Sequence, residues 1–289
     1  MAAVTLAVAA SALALAALAA WLWLRLRRRV LRLPERVLGR RWRVPARPRH
    51  PVVLAHGVLG FDELALGSAR HAYFRGVRAA LERDGCRVIV PRLPAVGSVA
   101  ERAAALARAV AEVDARRVNV LAHSMGGLDA RLAIATLGLD RRVAALVTVG
   151  TPHRGSPLAD LSNELARRLG LLRALELAGV KLDAFRDLGT GEMARFNEAV
   201  PDARGVAYAS VVGVVRRRRS ASPLLVPTHA WLARSSGEND GLVPASSQRW
   251  GEVLAEVEAD HWAQAGWSRR FDAPAFYVGL LRELRAMGC

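Results

Sequence analysis

Cysteine is scarce in this 289-residue sequence: Cys86 and Cys289 stand alone, far apart, at no metal or redox spacing. A disulfide framework is therefore excluded, and a reducing compartment is permitted. Lysine is nearly absent, with Lys181 against 41 arginines, and acids are few, 26 against 42 basic residues, which leaves a formal charge of +16. Eleven arginines and one acid, Glu35, fall within residues 25–50, so that stretch supplies +10 and the rest of the chain about +6. An excess this local argues against a nucleic-acid-binding surface spread over the fold. With 52% apolar and 24% charged residues the chain can bury one large core or two small ones, which excludes wholesale disorder. No internal repeat is present.

Charge is missing altogether from residues 2–24, a run of 23 where about 20 suffice to cross the hydrocarbon core as a helix. The run predicts an N-terminal membrane anchor over residues 1–24, with a cleaved signal peptide or a buried core helix as alternatives. A signal peptide has basic residues before its apolar stretch and small residues at its exit. Here the run leaves through Trp21, Leu22, Trp23 and Leu24 into Arg25, Arg27, Arg28 and Arg29, the aromatic-then-basic order of an anchored helix end. The positive-inside rule then keeps the body on the cytoplasmic face of a single-pass protein, export being the alternative. The same arginines would attract anionic headgroups at roughly 1 kcal/mol each. Residues 25–50, broken by Pro34, Pro45 and Pro48, read as a juxtamembrane linker, and residues 51–289 as the body.

In the body, short apolar runs alternate with helical stretches. Strands are predicted at residues 51–55, 86–91, 117–122 and 142–150, and helices at 72–83, 99–113 and 127–137. Apolar strands alternating with helices indicate a parallel, doubly wound α/β sheet.

Residues 118–127, VNVLAHSMGG, run a strand into a serine flanked by small residues and then into a helix, which is the pattern of a nucleophile elbow. Such a turn lifts Oγ above the sheet and aims the next amide and the helix start at developing negative charge. Ala122 stands where the usual GxSxG pattern has glycine, and alanine is still small. Ser124 is therefore the candidate nucleophile, and a serine needs a base whose tautomer a third group fixes. The partners must follow in the order acid, then histidine. Asp240, in GENDGLVP (residues 237–244), is the best acid, and only His261 follows it; Glu238 and Asp260 compete for the acid's place. Acyl transfer also needs oxyanion donors. The glycine-bearing HGVLGFD (residues 56–62) after the first strand and the elbow itself offer the backbone N–H groups of Val58 and Met125. Gly57 lets that loop turn, and His56, His123 and His153 read as neighbours of the site rather than actors.

With HAYFRG (residues 71–76), TVGTPHRGSPLAD (148–160), ENDGLVPASS (238–247) and DHW (260–262), these blocks make the chain resemble the bacterial true lipases of the α/β-hydrolase superfamily. The resemblance covers nearly all of the chain past the linker. It implies the α/β-hydrolase fold and hydrolysis of carboxylic esters of lipids through an acyl-enzyme, with Ser124, Asp240 and His261 as triad and Val58 and Met125 as oxyanion donors. Arg102 resembles the family arginine that braces the oxyanion loop, a solvated helix face being the other reading. The family's calcium carboxylate lies two residues after the histidine, where this chain has Ala263, so no metal is expected, and no cofactor is implied. Thioester hydrolysis or acyl transfer on the same triad, or a catalytically silent membrane-anchored scaffold, are the rival functions.

Residues 156–205 carry amphipathic helical stretches suited to a cap over the serine, either as a lid that opens at a lipid surface or as a fixed cover. The basic run at residues 216–219 reads as a solvated loop or a headgroup contact.

Overall fold

The computed structural model of the chain describes residues 48–58, 63–66, 69–168, 183–217 and 220–289, with backbone alone for 63–66 and 69–71. The expected anchor helix, the linker up to residue 47, residues 59–62 of the glycine-bearing loop, residues 169–182 of the cap segment and residues 218–219 of the basic run lie outside them. The Arg49 N–H donates to the Cys289 carbonyl (2.8 Å), so the end of the expected linker is hydrogen-bonded into the body.

Six strands form one sheet: β1 (Val52–Ala55), β4 (Val88–Ile89), β5 (Val118–His123), β6 (Val143–Val149), β7 (Ala207–Val214) and β8 (Glu252–Glu258). Their order is β4-β1-β5-β6-β7-β8, and every pairing is parallel. β1, β5 and β6 are buried along their whole length, as parallel strands covered on both faces must be. Alternation along each strand sorts the side chains onto two cores. Val52, Leu54, Leu121 and Val147 face helix α1 (Val77–Arg83) and the C-terminal helix (Ala273–Ala286), whereas Val53, Ala55, Val120 and Leu146 face α2 (Val99–Ala111) and α3 (Gly126–Thr136). Each fully buried Leu or Val of this kind contributes about 1.5–3 kcal/mol.

The connection from β1 runs to one side and that from β5 to the other, so the crevice between their carboxyl ends is the switch point where doubly wound sheets hold ligands. Both the glycine-bearing loop and the elbow open there.

Local boundaries depart from the sequence reading in three places. The helix expected from residue 72 starts at Val77, because Ala72 ends β3 (Ala69–Ala72), paired antiparallel with β2 (Glu63–Leu66), and Gly76 at φ 74° lies outside helical backbone. β4 is only two residues long. The edge strand β8, EVLAEVE, is half exposed and escaped the search for apolar runs. By contrast α2 starts where a capping box dictates: Ser98 Oγ accepts from the Glu101 amide and the Glu101 carboxylate accepts from Ser98 N–H.

In the cap segment, α4 (Pro157–Arg168), α5 (Asp183–Asp187) and α6 (Thr190–Ala199) are tied to one another and to the body. Asp160 of α4 accepts from both the amide and the hydroxyl of Thr190 (2.9 and 2.7 Å). Asp187 accepts from the Val99 amide at the start of α2 (2.9 Å). Ala184 and Met193 are buried with Val99, Met125 and Leu128. Beneath α6, the Arg131 guanidinium lies 3.5 Å over the Trp250 ring and donates to Asn197, whose amide donates in turn to the His153 carbonyl. Among the described residues, α5 and α6 are therefore packed and hydrogen-bonded onto the body. No helix among the described residues is long and apolar enough to cross a membrane.

Candidate active site

The strand-to-helix turn forces Ser124 to φ 56°, the only positive φ at a non-glycine residue among those described. An L-residue is strained there, and the surrounding packing must hold it. Small neighbours make that possible: a Cβ on Gly126 would fall 2.5 Å from the Ala55 carbonyl oxygen, so only glycine lets α3 start against the end of β1. A Cβ on Gly57 would stand 2.7 Å from Ser124 Cβ and 2.8 Å from Tyr73 Oη. The loop leading to Val58 thus passes directly beside the nucleophile, and Met125 follows it in the chain.

The three residues chosen by sequence order come together. Ser124 Oγ lies 2.9 Å from His261 Nε2, and His261 Nδ1 lies 2.7 Å from Asp240 Oδ2. Asp240 is fully buried, its Oδ1 accepting from the amides of Leu242 (3.0 Å) and Val243 (2.8 Å), and the His261 N–H donates to its carbonyl (2.9 Å). The competing acids are occupied elsewhere. Asp260 accepts from the amides of Ala263 and Ser222, and Glu238 pairs with Arg216 on the surface. Ala263 opens a buried 3₁₀ turn, Ala263–Ala265.

Arg102 is buried rather than solvated. Its guanidinium donates to the His56 carbonyl (2.5 Å), to the Pro94 carbonyl (2.6 Å) and to Asp129 Oδ2 (2.9 Å). It therefore holds the backbone one residue before Gly57. Burial pushes the Asp129 carboxyl up from its ordinary range, against the downward pull of Arg102. His56 accepts weakly from the Leu93 amide (3.4 Å), and burial lowers it to about 4. Burial also holds His123 and His153 well below 6.5, so both are neutral at pH 7. His153 meets Thr148 Oγ1 at 3.0 Å, stacks on Trp250 and supports the fold.

Two neighbours of the site were not singled out from sequence. Tyr73 Oη contacts His123 Nδ1 (2.7 Å), and the His123 ring lies 4.7 Å from that of His261, centroid to centroid. Tyr73 lies in the quoted HAYFRG block, which was its only signal. Gln264 donates to Asp240 Oδ2 (3.1 Å), and its position three residues after the histidine carried no signal.

The model of the alpha/beta hydrolase family matches residues 52–279. The chain is 30% identical over 270 residues to triacylglycerol lipase 2 of Saccharomyces cerevisiae, covering 77% of this chain and 82% of that protein. It is also 30% identical over 291 residues to a triacylglycerol lipase of Pseudomonas fragi, covering 83% and 97%. Among solved structures, the mature lipase BlEst2 of Bacillus licheniformis is similar with a TM-score of 0.65 and 25% identity over 82% of this chain and 93% of that one. A metagenomic carboxyl esterase matches in fold with a TM-score of 0.68 and 24% identity, over 82% and 76%.

Proposed function

The chain belongs to the alpha/beta hydrolase family, and we infer that Ser124, His261 and Asp240 are the catalytic triad of a serine hydrolase that cleaves carboxylic ester bonds of lipids. The observation that carries the assignment of residues is the unbroken contact from Ser124 Oγ through His261 to Asp240, at 2.9 and 2.7 Å. Ser124 Oγ attacks the ester carbonyl as His261 Nε2 takes its proton, and Asp240 fixes the ring and stabilises the imidazolium. The oxyanion sits on the N–H groups of Val58 and Met125, held in place by Arg102 through the His56 carbonyl and by the clearance at Gly57. The intermediate then collapses: the C–O bond to the alcohol breaks, and His261 returns the proton to the leaving oxygen. Water, deprotonated by the same ring, attacks the acyl-enzyme and frees the acid and Ser124.

Residues 156–205 are read as the insertion that covers this site. The anchor over residues 1–24, with the catalytic domain on the cytoplasmic face, completes the reading; its support is the 23-residue uncharged run and the arginines that follow.

A fluorophosphonate probe applied to separated membrane and soluble fractions tests chemistry and anchoring together. Labelling of the wild-type chain in the membrane fraction, abolished by Ser124→Ala, is expected. No labelling of the native chain, or equal labelling of Ser124→Ala, makes it a silent scaffold. Product analysis with glycerides, short esters and thioesters separates lipase from esterase and thioesterase. A reporter fused after Cys289 and active only outside the inner membrane would reverse the orientation.

A further inference from the structure

Gln264 is fully buried against the triad, on the 3₁₀ turn that follows His261. Its Nε2 donates to Asp240 Oδ2, the oxygen that also meets His261 Nδ1. The opposite amide orientation would set a carbonyl oxygen against a carboxylate, so electrostatics fixes which way the side chain points. Two glycines clear the space it occupies. A Cβ on Gly213, inside β7, would fall 1.9 Å from Gln264 Nε2, and one on Gly150, just past β6, would fall 2.3 Å from Gln264 Oε1. Gln264 Oε1 is buried without a hydrogen-bond partner among the described residues. An apolar side chain would fill the same room without leaving a desolvated acceptor, so stability alone does not account for an amide here.

From this geometry we infer that Gln264 is a positioning residue of the hydrolase: its amide locks the Asp240 carboxylate rotamer so that Oδ2 stays in line with His261 Nδ1. The two backbone amides on Oδ1 fix one end of the carboxylate; Gln264 fixes the other, the end from which the imidazole is aimed. Without it, Asp240 can rotate about its Cβ–Cγ bond and His261 samples orientations that leave Ser124 Oγ. The Gln264 amide donates to Asp240 Oδ2 (3.1 Å) and weakly to the Ala259 carbonyl (3.5 Å), and its route to Ser124 runs through Asp240 and His261, so its effect falls on turnover rather than on substrate affinity.

The inference rests on the triad assignment, and the test separates the two. Gln264→Met keeps length and volume but has no donor. Wild type, Ser124→Ala and Gln264→Met are compared by fluorophosphonate labelling rate and by steady-state hydrolysis of a short p-nitrophenyl ester between pH 5 and 9. Failure of the wild type to label sinks the triad itself. If the wild type labels, Gln264→Met is expected to lower kcat and the labelling rate together by about tenfold, with KM unchanged. The titratable neighbours of His261 in the described structure are Asp240 and His123, and Asp260 is committed to two backbone amides. Loss of the Gln264 donor concentrates negative charge on Asp240, so the acidic limb of the pH–rate profile moves to higher pH. Equal rates and an unmoved limb in a folded Gln264→Met overturn the inference. Should that variant not fold, Gln264→Glu, of equal size, carries the same comparison at pH 8, where loss of rate is expected and wild-type rates overturn it. Failure of both to fold assigns Gln264 to the core and overturns it as well.

Discussion

On the nucleophile side of the site, Ser124 is held in left-handed backbone between a buried strand and a helix, and glycines set how closely the loops approach. On the acid–base side, Asp240 and His261 stand on irregular loops beside β7 and β8 and are fixed by hydrogen bonds: two amides on Asp240 Oδ1, one side-chain amide on its Oδ2, and a backbone bond between the two residues. One side stores strain that packing sustains, and the other concentrates charge that donors neutralise. Damage to the first should therefore act through geometry and stability together, and damage to the second through protonation and orientation with the fold intact.

The sharpest way to break this contrast is on the acid–base side. Asp240→Asn should fold normally yet lower kcat by about 10⁴, because the ring loses the partner that fixes its tautomer; thermal melting alongside kcat checks it, and a large loss of Tm would contradict the distinction. On the nucleophile side, Arg102→Met should destabilise by about 3–5 kcal/mol, since it leaves Asp129 buried and unpaired. The double variant with Asp129→Leu should recover most of that in denaturant melts while activity stays low, because the His56 carbonyl is still unbraced; recovered activity would reduce Arg102 to a partner of Asp129. Gly57→Ala should lower kcat on the order of a hundredfold and cost about 1–3 kcal/mol, as the new methyl presses on Ser124 and Tyr73.

The smallest expected effect is on stability against pH. His56, His123 and His153 are neutral in the fold and have lowered folded values, so the unfolded chain takes up protons first as pH falls. Their contribution is complete above about 6.5 and is lost as pH drops towards 4, the value to which His56 is lowered. Denaturant midpoints at pH 7.5, 6 and 5 should fall in that order, and less steeply in His153→Gln.

What could be read in advance follows the same division. The elbow and its strand are local, written in consecutive residues with strand and turn character, and both were legible. Asp240 and His261 were chosen by chain order, and Glu238 and Asp260 could be set aside only when their own partners were visible. Arg102 was left open between brace and solvent, because its helix period alone does not say which turn faces the His56 carbonyl. Tyr73 and Gln264 were not read at all, and the cap segment was left open between lid and fixed cover, since the packing of each depends on contacts between segments tens to nearly two hundred residues apart. β8 was missed because an edge strand need not be apolar on both faces.

Sequence by itself determined the layered α/β plan and the serine at its turn, because hydrophobic period, small residues and chain order are local properties that backbone sterics convert directly into strand, elbow and helix. Tertiary structure alone decided which carboxylate meets the imidazole and what steadies it, because a parallel sheet joins strands through long crossovers and only the closed fold brings their loops within hydrogen-bond reach.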